Sequence, residues 1–265
     1  MTEPAPLPFA APCRRLAPSA PWDWLRRAFA DQRRAPLQSL AWGALTAAIS
    51  LGVSAVAWRF GSYWLLLAML SGFVFVAPLV AIAPYSISTQ LARGEKPSFR
   101  ACLNDQLRLR GTAMVFALVL LVIFLVWARA ASMISVFFPF EADPGWRDLI
   151  PYLGIGSAVG SVFALLCFAV TAFSLPMMHE RRVDAITAVV SSVNAVLRNK
   201  RAMLLWVTMI VASVLIGLAT AFIGFIVTMP LIGHASWHAY RDLVDTTDTP
   251  SQEPANGPLT GGATR

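Results

Sequence analysis

The stretch LQSLAWGALTAAISLGVSAVAWR, Leu37 to Arg59, decides the fold class. It carries no charge before its last residue and matches the roughly 20 residues that a helix needs to cross a bilayer. Four more apolar stretches follow, and the last, from Ala202 to about Tyr240, is too long for one span, so we divide it near Gly224. The sequence predicts an all-α polytopic membrane protein with about six transmembrane helices. These spans are expected at roughly residues 38–58, 63–84, 111–130, 152–175, 202–222 and 224–241.

The composition excludes an ordinary soluble domain. Of the 265 residues, 57% are hydrophobic and 13% are charged, whereas a soluble domain carries roughly 25% charged residues. The mean hydropathy is +0.63. The three cysteines, Cys13, Cys102 and Cys167, are scattered and share no metal-ligand spacing.

The basic residues alternate with the spans. Cytoplasmic loops are rich in Lys and Arg, and translocated loops are not. Sixteen of the 21 Lys and Arg residues form three groups: Arg14, Arg15, Arg26, Arg27, Arg33 and Arg34 before the first span; Arg93, Lys96, Arg100, Arg108 and Arg110 between the second and third; and Arg181, Arg182, Arg198, Lys200 and Arg201 between the fourth and fifth. The loop after the first span offers only Arg59, and the loop EADPGWRDL after the third is net acidic. Both termini are therefore predicted to be cytoplasmic. In this setting the net charge of +7 indicates contacts with anionic lipid headgroups and not with nucleic acid.

The cytoplasmic segments contain a weak internal repeat. Residues 21–40, 97–114 and 183–203 each have the pattern of a short amphipathic helix that enters a span. With a proline near the inner end of each returning span, this pattern predicts three helix-hairpin repeats with three interfacial helices on the cytoplasmic side. The repeats form a membrane domain at residues 21–244. Residues 1–20 and 245–265 have the composition of disordered tails.

Two histidines near the end of the chain are the first candidates for a site. His234 and His238 are four residues apart and would face the same way on a helix, as paired zinc ligands do, but the Glu of the H-E-x-x-H motif is missing. His179 is predicted near the same face and could complete a cluster that binds a transition metal or haem.

A structural interpretation of the same segment is simpler. Three neighbouring residues have the character of interfacial anchors: Trp237, Tyr240 and Arg241. The histidines would then be the polar end of a helix leaving the membrane, with Asp242 in reach of His238 at the i+4 position.

Other features of the chain favour a protein without catalysis. No charge lies at any predicted midplane, which argues against an ion-coupled transporter. Gly156 and Gly160 have the spacing that lets membrane helices pack closely. His179 and Glu180 stand side by side, but no nucleophile accompanies them. We find no catalytic constellation.

Three segments carry a resemblance to a known family. The closing MPLIGHASWHAYRDLV, the segment SLPMMHERRVDAITAVVSSVNAVLRN and the loop LARGEKPSFRACL are similar to those of the DUF2189 integral membrane proteins. The resemblance covers roughly residues 20–244 and implies a multi-pass protein of a bacterial inner membrane. Some members carry a cytochrome c oxidase label, yet the several deep histidines of an oxidase catalytic subunit are missing here.

These observations predict a non-enzymatic scaffold, assembly factor or membrane-homeostasis factor, or an uncoupled permease, without a cofactor. Its expected partners are the bilayer with its anionic headgroups and a further copy of the chain or another membrane subunit. The alternative is an accessory protein of a respiratory redox complex that binds a metal or haem through His234 and His238.

Overall fold

The computed structural model describes residues 13–60, 80–137, 146–181 and 183–243, and helices dominate throughout these ranges. No strand occurs within them. The helices, in chain order, are α1 (Ala20–Arg34), α2 (Pro36–Phe60), α3 (80–92), α4 (Phe99–Phe137), α5 (Trp146–Thr171), α6 (Ser174–Glu180), α7 (Ala185–Arg198), α8 (Lys200–Ala219) and α9 (Phe225–Leu243).

Four helical stretches of the described chain are long and apolar enough to cross a membrane. They are Pro36–Phe60, Phe99–Ile134, Ile150–Glu180 and Lys200–Ala219. The all-α polytopic membrane fold is thus confirmed. Most of the span expected at 63–84 falls outside the described residues, and α9, expected to span at 224–241, is not among these four. The number of six spans stays a prediction.

The boundary between α1 and α2 follows from one proline. Pro36 has no backbone N–H and restricts the residue before it, and Ala35 accordingly leaves the helical region with φ −131° and ψ 60°. The second amphipathic segment behaves differently, because α4 runs unbroken for 39 residues. A helix of that length measures about 58 Å, against roughly 30 Å of hydrocarbon. The interfacial segment expected at 97–114 is therefore continuous with the following span, since no proline interrupts it.

Each amphipathic segment packs against the returning helix of another hairpin: α4 and α7 against that of the preceding one, and α1 against α9 at the end of the chain. Between α1 and α9, Trp24 Nε1 donates to Asp242 Oδ2 at 2.9 Å. Between α4 and α3, Ser86 Oγ donates to Asp105 Oδ2 at 2.6 Å. At the third junction, Ser192 Oγ of α7 donates to the Ala169 carbonyl of α5 at 2.7 Å. We call α1, residues 99–110 of α4, and α7 the basic collar.

The segment before α1 is fastened to the far end of the chain. The backbone N–H of Arg14 donates to the Leu243 carbonyl at 2.8 Å, and that of Leu16 donates to Asn199 Oδ1 at 2.9 Å. Residues 13–19 are thus held by α7–α9, although the sequence placed them in a disordered tail. Residues 1–12 and 245–265 of the two expected tails lie outside the described residues.

Large aromatic side chains form the core beneath the collar. Trp24, Trp206 and Tyr240 are fully buried, and the rings of Trp24 and Trp206 meet edge to face with centroids 5.7 Å apart. α8 and α9 are joined by a tight turn in which Ala221 and Phe222 have φ values of 50° and 70°. The turn folds α9 back against α1 and α2, which places its histidines in the interior.

Candidate functional site: a buried polar network

The network has His234 at its centre. This side chain on α9 is fully buried, and both of its ring nitrogens contact hydroxyl groups. Nε2 lies 2.9 Å from Ser39 Oγ of α2, and Nδ1 lies 2.8 Å from Ser88 Oγ of α3. One imidazole therefore connects three helices.

Asp31 of α1 completes the network. Its Oδ2 accepts a hydrogen bond from Ser88 Oγ at 2.8 Å and lies 2.8 Å from His238 Nε2. Burial raises the pKa of Asp31, but the hydrogen bonds from His238 and Ser88 outweigh it and hold this pKa below its ordinary value. The carboxylate is thus ionised and joins α1 to α3 and α9.

The partner of His238 differs from the one suggested by sequence spacing. Asp242, four residues away, instead accepts hydrogen bonds from Trp24 Nε1 and from the Arg27 guanidinium. The two acids hold different parts of α1 against α9. Asp242 bonds to Trp24 and Arg27 in the first part of α1, and Asp31, near the end of α1, bonds to His238. Both contacts fasten α1 to α9.

The hydrogen bonds define a direction along the chain of polar groups. Because the Ser88 hydroxyl hydrogen points to Asp31, Ser88 Oγ can only accept from Nδ1–H of His234. In a neutral imidazole, Nε2 is then the acceptor for the Ser39 hydroxyl. This tautomer is assigned from the network. The order of hydroxyl, imidazole, hydroxyl and acid differs from a hydrolase triad, because Ser88 stands between His234 and Asp31, and Ser39 is fully buried. The geometry favours a structural role.

His179 belongs to a second polar cluster. Its Nε2 lies 3.4 Å from Thr89 Oγ1 and 4.0 Å from Asp105 Oδ2, and the side chain is 3% exposed. Asp105 also accepts the short hydrogen bond from Ser86. This cluster fixes α6 to α3 and α4, at a junction of the collar different from that of His238.

The histidine cluster proposed from the sequence is accordingly divided between two sets of partners. Across the described ranges, no group of three His, Cys, Asp or Glu side chains is arranged to hold a metal ion. Both nitrogens of His234 are engaged by serines, and His238 faces Asp31. The metal or haem hypothesis stays a prediction.

The expected interfacial anchors lie against protein. Trp237 is 3% exposed and Tyr240 is fully buried. Arg241 reaches the surface, where its Nη1 lies 2.8 Å from Glu180 Oε1 and its guanidinium lies 5.2 Å from the Trp237 ring centre. Within the protein, the contact of Arg241 with Glu180 fastens α9 to α6.

The packing role expected for Gly156 and Gly160 stays a prediction. A Cβ on Gly156 would meet nothing within 4 Å, and one on Gly160 would lie 3.8 Å from Trp127 Nε1. In contrast, a Cβ on Gly43 would fall 2.0 Å from the Ile226 carbonyl oxygen. Gly43 therefore permits the backbones of α2 and α9 to touch.

Sequence reasoning missed Asp31, Ser39 and Ser88. The available signal was the position of Asp31 on the apolar face of α1, seven residues after Trp24 and three after Ala28, which are both fully buried. A carboxylate at such a position needs a buried partner. The sequence could not name that partner, since His238 lies 207 residues away.

Comparison with known proteins agrees with this architecture. The family model for DUF2189, described as a predicted integral membrane protein, matches residues 65–180. No curated protein and no solved structure matches the chain. The matched range extends through α3, α4 and α5 to the end of α6 and includes the second polar cluster. The resemblance of the chain to the DUF2189 integral membrane proteins is confirmed for residues 65–180.

Proposed function

We propose that this chain is a non-enzymatic membrane scaffold whose basic collar holds anionic lipid headgroups at the cytoplasmic face of a bacterial inner membrane. The observation that supports it is the exposed surface of the collar. Each of its three segments presents large apolar side chains beside basic ones and buries its opposite face. Apolar and basic side chains on one exposed surface are the pattern of segments that contact a membrane interface.

The outer face of α1 has the clearest pattern. Trp22 and Phe29 are 61% and 50% exposed, and Arg26 and Arg33 alternate with them at helical spacing. The Arg33 guanidinium lies 4.8 Å from the Phe29 ring centre. The aromatic rings suit the boundary between headgroups and acyl chains, and the guanidinium groups suit lipid phosphates.

The other two segments repeat this arrangement. On α4, Phe99, Leu103 and Leu107 are 44%, 51% and 52% exposed along one face. On α7, Ile186 and Leu197 are 64% and 58% exposed. Exposed basic residues flank these stripes: Arg100, Arg108 and Arg110 on α4, and Arg198, Lys200 and Arg201 at the α7–α8 boundary. Three such helices give the scaffold a broad contact with anionic lipid.

The test is lipid binding by the full chain in nanodiscs of phosphatidylcholine with increasing phosphatidylglycerol. We expect Arg33→Gln/Arg34→Gln to bind anionic lipid more weakly, by roughly fivefold per charge removed, because each basic residue near a membrane surface contributes about 1 kcal/mol. The matched control is Arg59→Gln/Arg129→Gln, which removes two exposed arginines from the opposite side. Equal losses in the two variants would contradict the proposal, as would binding that ignores lipid charge.

The orientation has its own test. Reporter fusions after residues 96 and 199 should report the cytoplasm, and a fusion after residue 59 should report the opposite side. An external signal from the first two would place the collar on the wrong face for this proposal.

A further inference from the structure

A cavity of about 310 Å³ lies between α2, α3 and α9, and its lining includes no collar residue. Its walls are mainly apolar. They include Trp42, Ile49, Val80, Ala81, Met229 and Ile232. Gly43 and Gly233 let the helices around the cavity approach closely. A Cβ on Gly233 would lie 2.6 Å from the Pro84 side chain.

The hydroxyl groups of Thr46 and Ser236 in the walls are satisfied locally, whereas one buried donor is not. Thr46 Oγ1 donates to the Trp42 carbonyl at 3.0 Å, and Ser236 Oγ donates to the Ile232 carbonyl at 2.9 Å. That donor is Trp42 Nε1, which is buried and has no acceptor within the described chain. An indole N–H only donates, and burying it unpaired is costly. An acceptor on an occupant of the cavity would satisfy it.

The position of the cavity indicates the chemistry of that occupant. Its α2 wall belongs to a candidate membrane span, so the surrounding medium is lipid. Trp42 lies six residues into α2, about 9 Å from its start at the collar, and Ile49 lies about 20 Å from it. The hydrogen-bond donor is thus near the headgroup level and the apolar wall is deeper. A volume of about 310 Å³ is at the small end of ligand sites and suits one alkyl chain.

We propose that this cavity binds one acyl chain of a bilayer glycerolipid, with an ester carbonyl oxygen accepting a hydrogen bond from Trp42 Nε1. The polar network adjoins the site along the chain, since Ser39 precedes Trp42 by about one helical turn and His234 follows Gly233 of the cavity wall. The site recognises the acyl chain and the ester group of its ligand, and the affinity does not depend on the charge of the headgroup.

Native mass spectrometry of the mildly solubilised full chain tests the proposal by the fraction that retains one lipid. Ala81→Phe places a ring in the cavity and should lower this fraction by about tenfold or more, whereas the same change at exposed Ala48 of α2 should not. Trp42→Phe keeps the ring and removes the donor, so we expect about threefold to tenfold weaker retention. Its control is Trp58→Phe, at a side chain that is 91% exposed.

Three results would overturn the site. One is that the wild-type protein retains no lipid while its Trp42 N–H is protected from hydrogen exchange. The acceptor of this N–H would then come from another part of the chain. Another is equal retention by Ala81→Phe and Ala48→Phe. If Ala81→Phe does not fold, equal retention by Trp42→Phe and Trp58→Phe decides against it. None of these variants alters a collar residue, so the outcome is independent of the headgroup test.

Discussion

The two ends of this molecule are built in opposite ways. At the collar end, aromatic rings and polar groups are buried together, with Asp31, His234 and Trp24 at 6%, 0% and 0% exposure. Much less of the spans is covered by protein: 6% of the apolar window of α2 is buried, and 22–28% of the windows of the other three candidate spans. One end is a protein interior, and the other presents its side chains to lipid.

This difference shows where the fold is specified. Moving an apolar side chain from contact with a neighbouring helix to contact with lipid changes the free energy little, because lipid tails are as apolar as the side chains they replace. Buried polar groups at the collar must find particular partners. Changes at the collar end should therefore cost much more stability than matched changes elsewhere.

The largest effect is expected at Asp31. Asp31→Ala leaves the ring N–H of His238 and the hydroxyl of Ser88 without their acceptor, and breaking a buried pair in this way costs about 3–5 kcal/mol. The measurement is the free energy of unfolding in mixed detergent micelles. Asp23→Ala is the control on the same helix, with a side chain that is 68% exposed, and should change stability by less than about 0.5 kcal/mol. Similar losses in both variants would show that α1 is not fixed by the network.

Two glycines of α2 sharpen the comparison within one helix. Gly43→Ala would press a methyl group against the α9 backbone, which must shift, so we expect a loss of about 1–3 kcal/mol. Gly52 has open space around it, and Gly52→Ala should be neutral or slightly stabilising. Thermal unfolding of both variants in the same detergent gives the difference. A reversed order would contradict the close α2–α9 contact.

The start of α7 predicts a smaller, pH-dependent effect. Hydrogen bonds from Thr187 hold the pKa of Asp184 below its ordinary value, and the side chain caps the helix. Asp184→Ala should cost about 1 kcal/mol. Because the folded pKa is lowered, the added stability of the carboxylate is present above about pH 4 and is lost as the pH falls through the folded pKa.

Asp184→Asn separates the two contributions. This variant keeps an acceptor for the cap and removes the titrating group. The free energies of unfolding of the variant and of the natural chain should therefore approach each other at acid pH. A difference that does not change with pH would argue against the carboxylate as the cause.

The smallest effect is expected for bound metal. Since both nitrogens of His234 are hydrogen-bonded to serines, we expect elemental analysis and an absorption spectrum to show no stoichiometric metal and no Soret band, with or without His234→Ala/His238→Ala. Metal or haem in the natural protein that is absent from the double variant would instead support the redox-accessory alternative.

Apolar periodicity and charge predicted the membrane class, the all-α fold and the amphipathic segments. Local sequence was less informative about where the amphipathic segments end. The second segment joins α4 without a break, whereas the third ends at Asn199, whose amide donates to the Arg14 carbonyl at 3.0 Å. Arg14 is 185 residues away, and no local pattern contains that information.

The site was predicted only in part for the same reason. The spacing of His234 and His238 correctly drew attention to α9, but it implied that the two rings share a ligand. In the structure one ring faces serines of α2 and α3 and the other faces Asp31. Trp237 and Tyr240 have the composition of a membrane interface, and only the packing of α6 and α9 shows that they are covered.

The contact between Asp31 and His238 also bears on how the chain is made. At 5–20 residues per second, the 207 residues between them take about 10–40 s to synthesise. During that interval α1 has left the ribosome while its main partner, α9, does not yet exist. Asp31 must therefore stay hydrated at the membrane surface until the last helix is released. The last step in the folding of this protein is therefore the docking of α9, the last helix made, against α1, the first.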